Sequence, residues 1–249
     1  MAGHSKWKQI RRQKGVADAR RGQLFTKLAR EITVAAKLGG VDPDANFRLR
    51  IAVQKARAEN MPNENIKRAI ERATSEAGGN NYEEIYYEGY APGGAAIMVQ
   101  VLTDNRNRTV GEVRALFTRA GGNLGESGSV AYLFDQLGVI TLNADGADPD
   151  DLALQAIDAG AEDIKTDAGD GAVEVYTQPT ELKAVQDALA AQGLQIEDAA
   201  ITMQPKTTLS LDGDDTLKVV RLLERLEELD DVQEVYTNVE IPDEVLAQV

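Results

Sequence analysis

GVITLNADGADPDDLALQAIDAGAEDIKTDAGDGAVEVYTQPTELKAVQDALAAQGLQIEDAAITM, residues 138–203, carries the strongest fold signal in the chain. Strands are predicted at 138–142, 162–166, 172–177 and 194–203, where β-branched residues recur. Between them, apolar residues at three- and four-residue steps predict helices over 149–159 and 180–192. Gly160 and Gly193 end those helices, and Asp167–Gly171 reads as a hairpin turn. The order βαββαβ is the ferredoxin-like plan. Asp145, Asp148, Asp150 and Asp151 lack the glycine and terminal glutamate of a calcium loop. Their simpler role is to favour the N-terminus of the helix that follows.

On either side of this unit lies an incomplete one. Upstream, Ala95–Thr103 reads as a buried strand, and Thr109 with Glu112 has the spacing of a capping box. The helix opened there carries Val113, Leu116 and Phe117, stops at Gly121–Gly122, and leads to a strand over 129–134. Downstream of Pro205 come a strand near 207–211, a helix over about 214–229 and a strand over 232–237. Each flank is a βαβ unit without a partner, so the two are expected to complete one another around the insert. Tyr82, Tyr86, Tyr87 and Tyr90 precede the first flank. A strand packing its aromatics is the favoured reading, and a stacking platform for bases is the alternative.

Residues 16–77 read as three helices joined by short turns. Leu24, Leu28, Ile32 and Ala35 mark the first; Phe47, Ile51, Val53 and Ala56 the second; Ile66, Ala69, Ile70 and Ala73 the third. Lys27 and Arg30 lie off the apolar stripe, with water or a ligand as their expected surroundings. Gly78–Asn81 reads as a linker that lets the bundle move. The expectation is therefore an α+β protein of three domains: a basic helical domain at 1–78, a discontinuous α/β domain at 79–136 and 204–249, and an acidic ferredoxin-like insert at 137–203.

Charge divides along the same line. The formal net charge is -14 over 249 residues. Residues 1–75 hold 17 Lys and Arg against 7 Asp and Glu, a net of +10, so residues 76–249 carry -24. The first thirty residues set nine Lys and Arg against Asp18 alone, with the single tryptophan, Trp7, among them. Such a segment on an acidic protein suits an oriented contact with a polyanion. A second candidate is Thr103-Asp-Asn-Arg-Asn-Arg-Thr109, followed by Gly121-Gly-Asn-Leu-Gly-Glu-Ser-Gly-Ser129. Arg106 and Arg108 fall at a helix N-terminus, a place that suits an anion, while the glycines also serve as plain turn residues.

Several functions are disfavoured. There is no cysteine, hence no disulfide or thiolate site, and no apolar run of membrane-spanning length. No signal-peptide core follows the basic start, so a cytoplasmic protein is expected. His4 is the only histidine, which argues against a histidine-based triad. No catalytic set, cofactor or metal site is expected, and the chain is read as a non-enzyme. No helix-turn-helix, zinc-finger or RNA-recognition signature is visible.

AGHSKW at 2–7, LFTKLAREITVAAKLGG at 24–40, DPDANFRLR at 42–50, NMPNENIKRAI at 60–70, EGYAPGG at 88–94, TDNRNRT at 103–109 and GGNLGESGSVAYLF at 121–134 together resemble the YebC/PmpR family. The resemblance implies three domains with the last inserted, and a DNA-binding transcriptional regulator. Its alternative is a ribosome- or ribosomal-RNA-associated translation factor that activates translation or relieves stalls. It implies no catalytic set. By matching motif, the nucleic-acid-binding candidates are Lys6, Trp7, Lys8, Arg11, Arg12, Lys14, Arg20, Arg21 and Lys27, with Arg106 and Arg108 behind them. The expected partners are DNA or ribosomal RNA, no membrane, and a basic protein at the acidic insert.

Overall fold

Residues 18–74, 82–143, 146–166, 172–242 and 245 are described by the computed structural model, with side chains from residue 21 onward. The chain is α+β and divides into two compact units, one of residues 135–204 and one of 2–134 with 205–249.

The first unit holds β4 (Phe134–Asn143), α5 (Pro149–Asp158), β5 (Asp163–Lys165), β6 (Ala172–Thr177), α6 (Leu182–Ala191) and β7 (Ile196–Pro205). Its sheet runs β5-β6-β4-β7, with β6 antiparallel to both β4 and β5. That strand order, the last strand beside the first, is what two βαβ crossovers produce. Ile140, Leu142, Val173 and Val175 are buried on the strands, Leu152, Ala156, Leu182, Val185 and Leu189 on the helices. At Gly138 the sheet and α6 approach so closely that a Cβ would lie 3.0 Å from the Leu182 Cβ. Asp148 caps α5 by accepting from the Asp150 N–H at 3.0 Å, and Pro149 follows at the first helical position.

In the larger unit the helices are α1 (Asp18–Gly39), α2 (Phe47–Ala58), α3 (Asn63–Thr74), α4 (Arg106–Arg119) and α7 (Gly213–Glu227), and the strands β1 (Glu83–Tyr90), β2 (Ala96–Thr103), β3 (Asn123–Leu124) and β8 (Val232–Thr237). The sheet order is β3-β1-β2-β8. β1 and β2 form a hairpin through Pro92–Gly94, and β8 adds antiparallel to β2 with Ile97 opposite Thr237. Ile97, Val99 and Val101 of β2 share one core with Val113 and Phe117 of α4 and Val219, Leu223 and Leu226 of α7. Period 2 on the strand thus meets period 3.6 on the helices across one apolar layer. α1, α2 and α3 bury a second core of Leu28, Ile32, Ala35, Leu49, Ala52, Val53, Ile66 and Ala69.

Four local expectations give way. α4 begins at Arg106, not Thr109, because Asn105 supplies the cap: its side chain accepts from the Arg108 N–H at 3.1 Å. No strand forms over 129–133; the backbone turns through a short 3-10 segment at Ala131–Leu133, since its N–H groups go to a carboxylate described below. The segment at 207–211 makes a single parallel bridge, Leu209 to Val239. On α2 the buried face is turned from Phe47 and Ile51 toward Leu49 and Ala52. Asn46 sets that phase, capping Leu49 at 3.1 Å while donating to the Ala35 carbonyl at 2.8 Å.

Candidate nucleic-acid interface

Of the candidates in the basic segment, Lys6, Trp7, Lys8, Arg11, Arg12 and Lys14 lie outside the described residues, and so does the Arg20 side chain. Arg21 is exposed on the first turns of α1. Farther along the same helix Lys27 and Arg30 turn inward. Lys27 donates to the Glu227 carbonyl at the end of α7. One Arg30 nitrogen donates to the Leu102 carbonyl at 2.9 Å, the Asp230 carbonyl at 2.8 Å and the Asp231 Oδ1 at 2.9 Å. The expectation that Lys27 and Arg30 meet water or a ligand is corrected: off the bundle's own stripe, α1 has a second packed side, which meets the end of α7 and the β2–β8 margin of the sheet.

Asp231 is the centre of this contact. Its carboxylate is 4 % exposed and draws in four side chains from three elements. Oδ2 accepts from Arg108 Nη2 at 2.6 Å, Thr109 Oγ1 at 2.6 Å and Thr103 Oγ1 at 2.9 Å, and Oδ1 accepts from Arg30. Burial pushes the Asp231 carboxyl up, but the bonds from Thr109, Arg108 and Thr103 and the Arg30 charge outweigh it and hold it below the usual carboxylate range. In return the Arg108 guanidinium is raised, first by its bond to Asp231. A buried carboxylate persists only with such compensation. Of the two arginines in the Thr103–Thr109 motif, Arg108 meets an anion. That anion is the chain's own.

The glycine loop follows the same rule. Glu88 of β1 is buried, and its carboxylate accepts three backbone N–H groups: Gly128 at 2.7 Å, Val130 at 2.8 Å and Ala131 at 2.7 Å. Successive amides converging on one point form an anion nest. Here Glu88 occupies it. Tyr90 adds a bond from its hydroxyl to the Ser129 carbonyl at 2.8 Å. Glu88 stands in plain view within EGYAPGG, but nothing in sequence spacing ties it to residues forty positions away.

The tyrosines resolve by strand alternation. Tyr87 joins the core beneath α4 and α7. Tyr86 is pushed up to about 12 by burial, with Glu84 adding to the rise. Tyr236 is also held well above its ordinary value, again chiefly by burial. Both hydroxyls therefore stay protonated, which removes them as anions from this layer. Around them, Glu84 accepts from Arg48 at 2.8 Å and Gln100 at 2.6 Å, and Lys55 bridges Glu234 at 2.9 Å and Glu31 at 3.4 Å. The bundle is thus fastened to the sheet by ion pairs and carbonyl bonds. Residues 75–81, which carry the expected linker, lie outside the described residues.

On the outer face of α3, Lys67 pairs with Glu71 at 3.9 Å and Arg68 with Glu64 at 3.3 Å. Arg106 is exposed at the start of α4, where its carbonyl accepts from the Tyr87 hydroxyl at 3.3 Å. Among the described residues no cluster of His, Cys, Asp and Glu could hold a metal ion. No described helix is long and apolar enough to cross a membrane.

Comparison with known proteins places this geometry. The chain matches a family model described as the TACO1/YebC N-terminal domain over residues 5–76 and one described as the TACO1/YebC second and third domain over 82–239. It is 53 % identical over 245 residues to a protein of Pelotomaculum thermopropionicum named "Probable transcriptional regulatory protein", covering 98 % of this chain and 100 % of that one. A protein of the same name from Roseiflexus castenholzii is 56 % identical over 253 residues, covering 100 % and 98 %. The crystal structure of a conserved hypothetical protein, Aq1575 from Aquifex aeolicus, superposes with a TM-score of 0.82 at 50 % identity, covering 90 % of this chain and 92 % of that one. Matched along nearly its whole length in sequence and over nine-tenths of it in structure, the chain belongs to the TACO1/YebC family.

Proposed function

We propose that this protein is a nucleic-acid-binding regulator that grips phosphates with its N-terminal basic segment, a DNA-binding transcriptional regulator in the first reading. The observation that carries the proposal is the charge division, +10 over residues 1–75 against -24 over residues 76–249. Lys27, Arg30, Arg48, Lys55 and Arg108 have acceptors within the protein. By charge and motif, the candidate phosphate contacts are Lys6, Lys8, Arg11, Arg12, Lys14, Arg20 and Arg21, with Trp7 to stack on a base and Arg106 as an outlying cation. The -24 borne by residues 76–249 orients the complex by repelling the polyanion from the rest of the protein. The name that the relatives carry supports regulation of transcription. Catalysis plays no part in the proposal.

The ion pairs on α3 favour a second reading. A helix that reads a major groove presents uncompensated donors to base edges, whereas Lys67 and Arg68 are balanced by Glu71 and Glu64. Contact with the shape and backbone of structured RNA, as in a ribosome-associated translation factor, asks for no such helix. Crosslinking in living cells, with sequencing of the attached nucleic acid, separates the two. Reads concentrated at promoters support the transcriptional regulator, and reads concentrated in ribosomal RNA support the translation factor. The absence of any enriched nucleic acid overturns both.

A further inference from the structure

The acidic unit presents an apolar face that its own fold leaves uncovered. On α5, Leu152 and Ala156 point into the unit, while Leu154 is 62 % and Ile157 58 % exposed. They stand three residues apart and so lie on one side of the helix. Asp150 and Asp151 sit one turn before Leu154, and Asp158 lies next to Ile157; all three are exposed. The acids in the first turn are explained by the helix dipole. The two large apolar side chains between them are not, and a single exposed leucine would need no account where an adjacent pair does.

The charge around this face states what would cover it. Residues 135–204 hold 15 Asp and Glu against two Lys, a net of -13. Neither lysine shields the face: Lys165 lies over the Tyr176 ring at 5.3 Å, and Lys183 pairs with Asp187 on α6. We infer that the outer face of α5 is a docking site for a lysine- or arginine-rich segment of a protein partner carrying apolar residues one helical turn apart. Leu154 and Ile157 receive the apolar pair, while Asp150, Asp151 and Asp158 meet the cations at the rim. Charge steers the encounter, and the apolar pair gives it position. The site is independent of the nucleic-acid reading and stands or falls without it.

The test uses the full-length protein and two synthetic helical peptides of equal positive charge. One carries lysines with leucines spaced three and four apart; in the other every leucine is replaced by serine. The leucine peptide is expected to bind at least tenfold more tightly and to shift the methyl resonances of Leu154 and Ile157. Leu154→Gln with Ile157→Gln should remove that tenfold preference and leave the weaker, salt-sensitive binding of the serine peptide unchanged. Both side chains are surface-exposed, so thermal unfolding of the double variant should match the parent and certify its fold. The inference is overturned if the two peptides bind alike, if the double variant keeps the preference, or if the resonance shifts map away from α5. It is also overturned if sedimentation shows that this face holds two copies of the chain together.

Discussion

Replacing Asp231 with asparagine is the sharpest perturbation of this architecture, because one carboxylate holds Arg30, Arg108, Thr103 and Thr109 at once. Asparagine keeps the shape but removes the charge and turns one acceptor into a donor. Arg30, whose side chain is 13 % exposed, loses its counter-ion, though the Leu102 and Asp230 carbonyls still receive it. Removing one partner of a buried pair costs about 3–5 kcal/mol. The retained carbonyls and the exposure of Arg108 place the loss at the lower end, about 3 kcal/mol. For a unit of this size, each kcal/mol lowers the midpoint by about 2–4 °C, so the expected shift is about 6–12 °C. Calorimetry of parent and variant reads it directly, and a double-mutant cycle with Arg30→Met should return a coupling of about 1–3 kcal/mol. A loss below about 0.5 kcal/mol would refute the reasoning, because that is the size of an ordinary surface substitution.

Acid should erase this difference. The folded Asp231 carboxyl sits below its ordinary value, so its contribution is complete above about pH 4 and is lost as pH falls through the folded value. Urea midpoints of parent and Asp231→Asn measured from pH 6 downward should therefore converge below about pH 4. Glu88→Gln should cost about 2 kcal/mol and speed amide exchange at Gly128, Val130 and Ala131, the three donors it holds, ahead of the β1–β2 ladder. Gly89→Ala would set its Cβ 2.6 Å from both the Asn123 carbonyl and the Phe117 ring, and should destabilise by about 1–3 kcal/mol in a urea titration.

What the sequence made legible was local. The strands at 138–142 and 172–177 of the acidic unit announce themselves by their apolar and β-branched residues, and its helices end at glycines with positive φ, 100° at Gly160 and 84° at Gly193. Asp231 was not legible, because its partners lie at positions 30, 103, 108 and 109, and no periodicity links them. The arginine-bearing stretch that read as an anion site, and the glycine-rich loop after it, both have the right chemistry for an anion. What spacing could not supply was the identity of the anion, since Asp231 and Glu88 reach them only through the fold. The capping-box reading of Thr109 failed similarly: Asn105 caps more directly, which frees the Thr109 hydroxyl for Asp231. The basic segment itself was plain from composition, and its side chains up to Arg20 lie outside the described residues.

On the proposed reading, the N-terminal cations, and not those bound to the sheet, meet phosphate. The most direct test is the salt dependence of binding to a fixed duplex and to a structured RNA, for the parent and for a variant with Arg11, Arg12, Arg20 and Arg21 changed to alanine. Binding should weaken in the variant, with a log–log salt slope shallower by about one unit for each phosphate no longer neutralised. Equal slopes for parent and variant on both nucleic acids would contradict it.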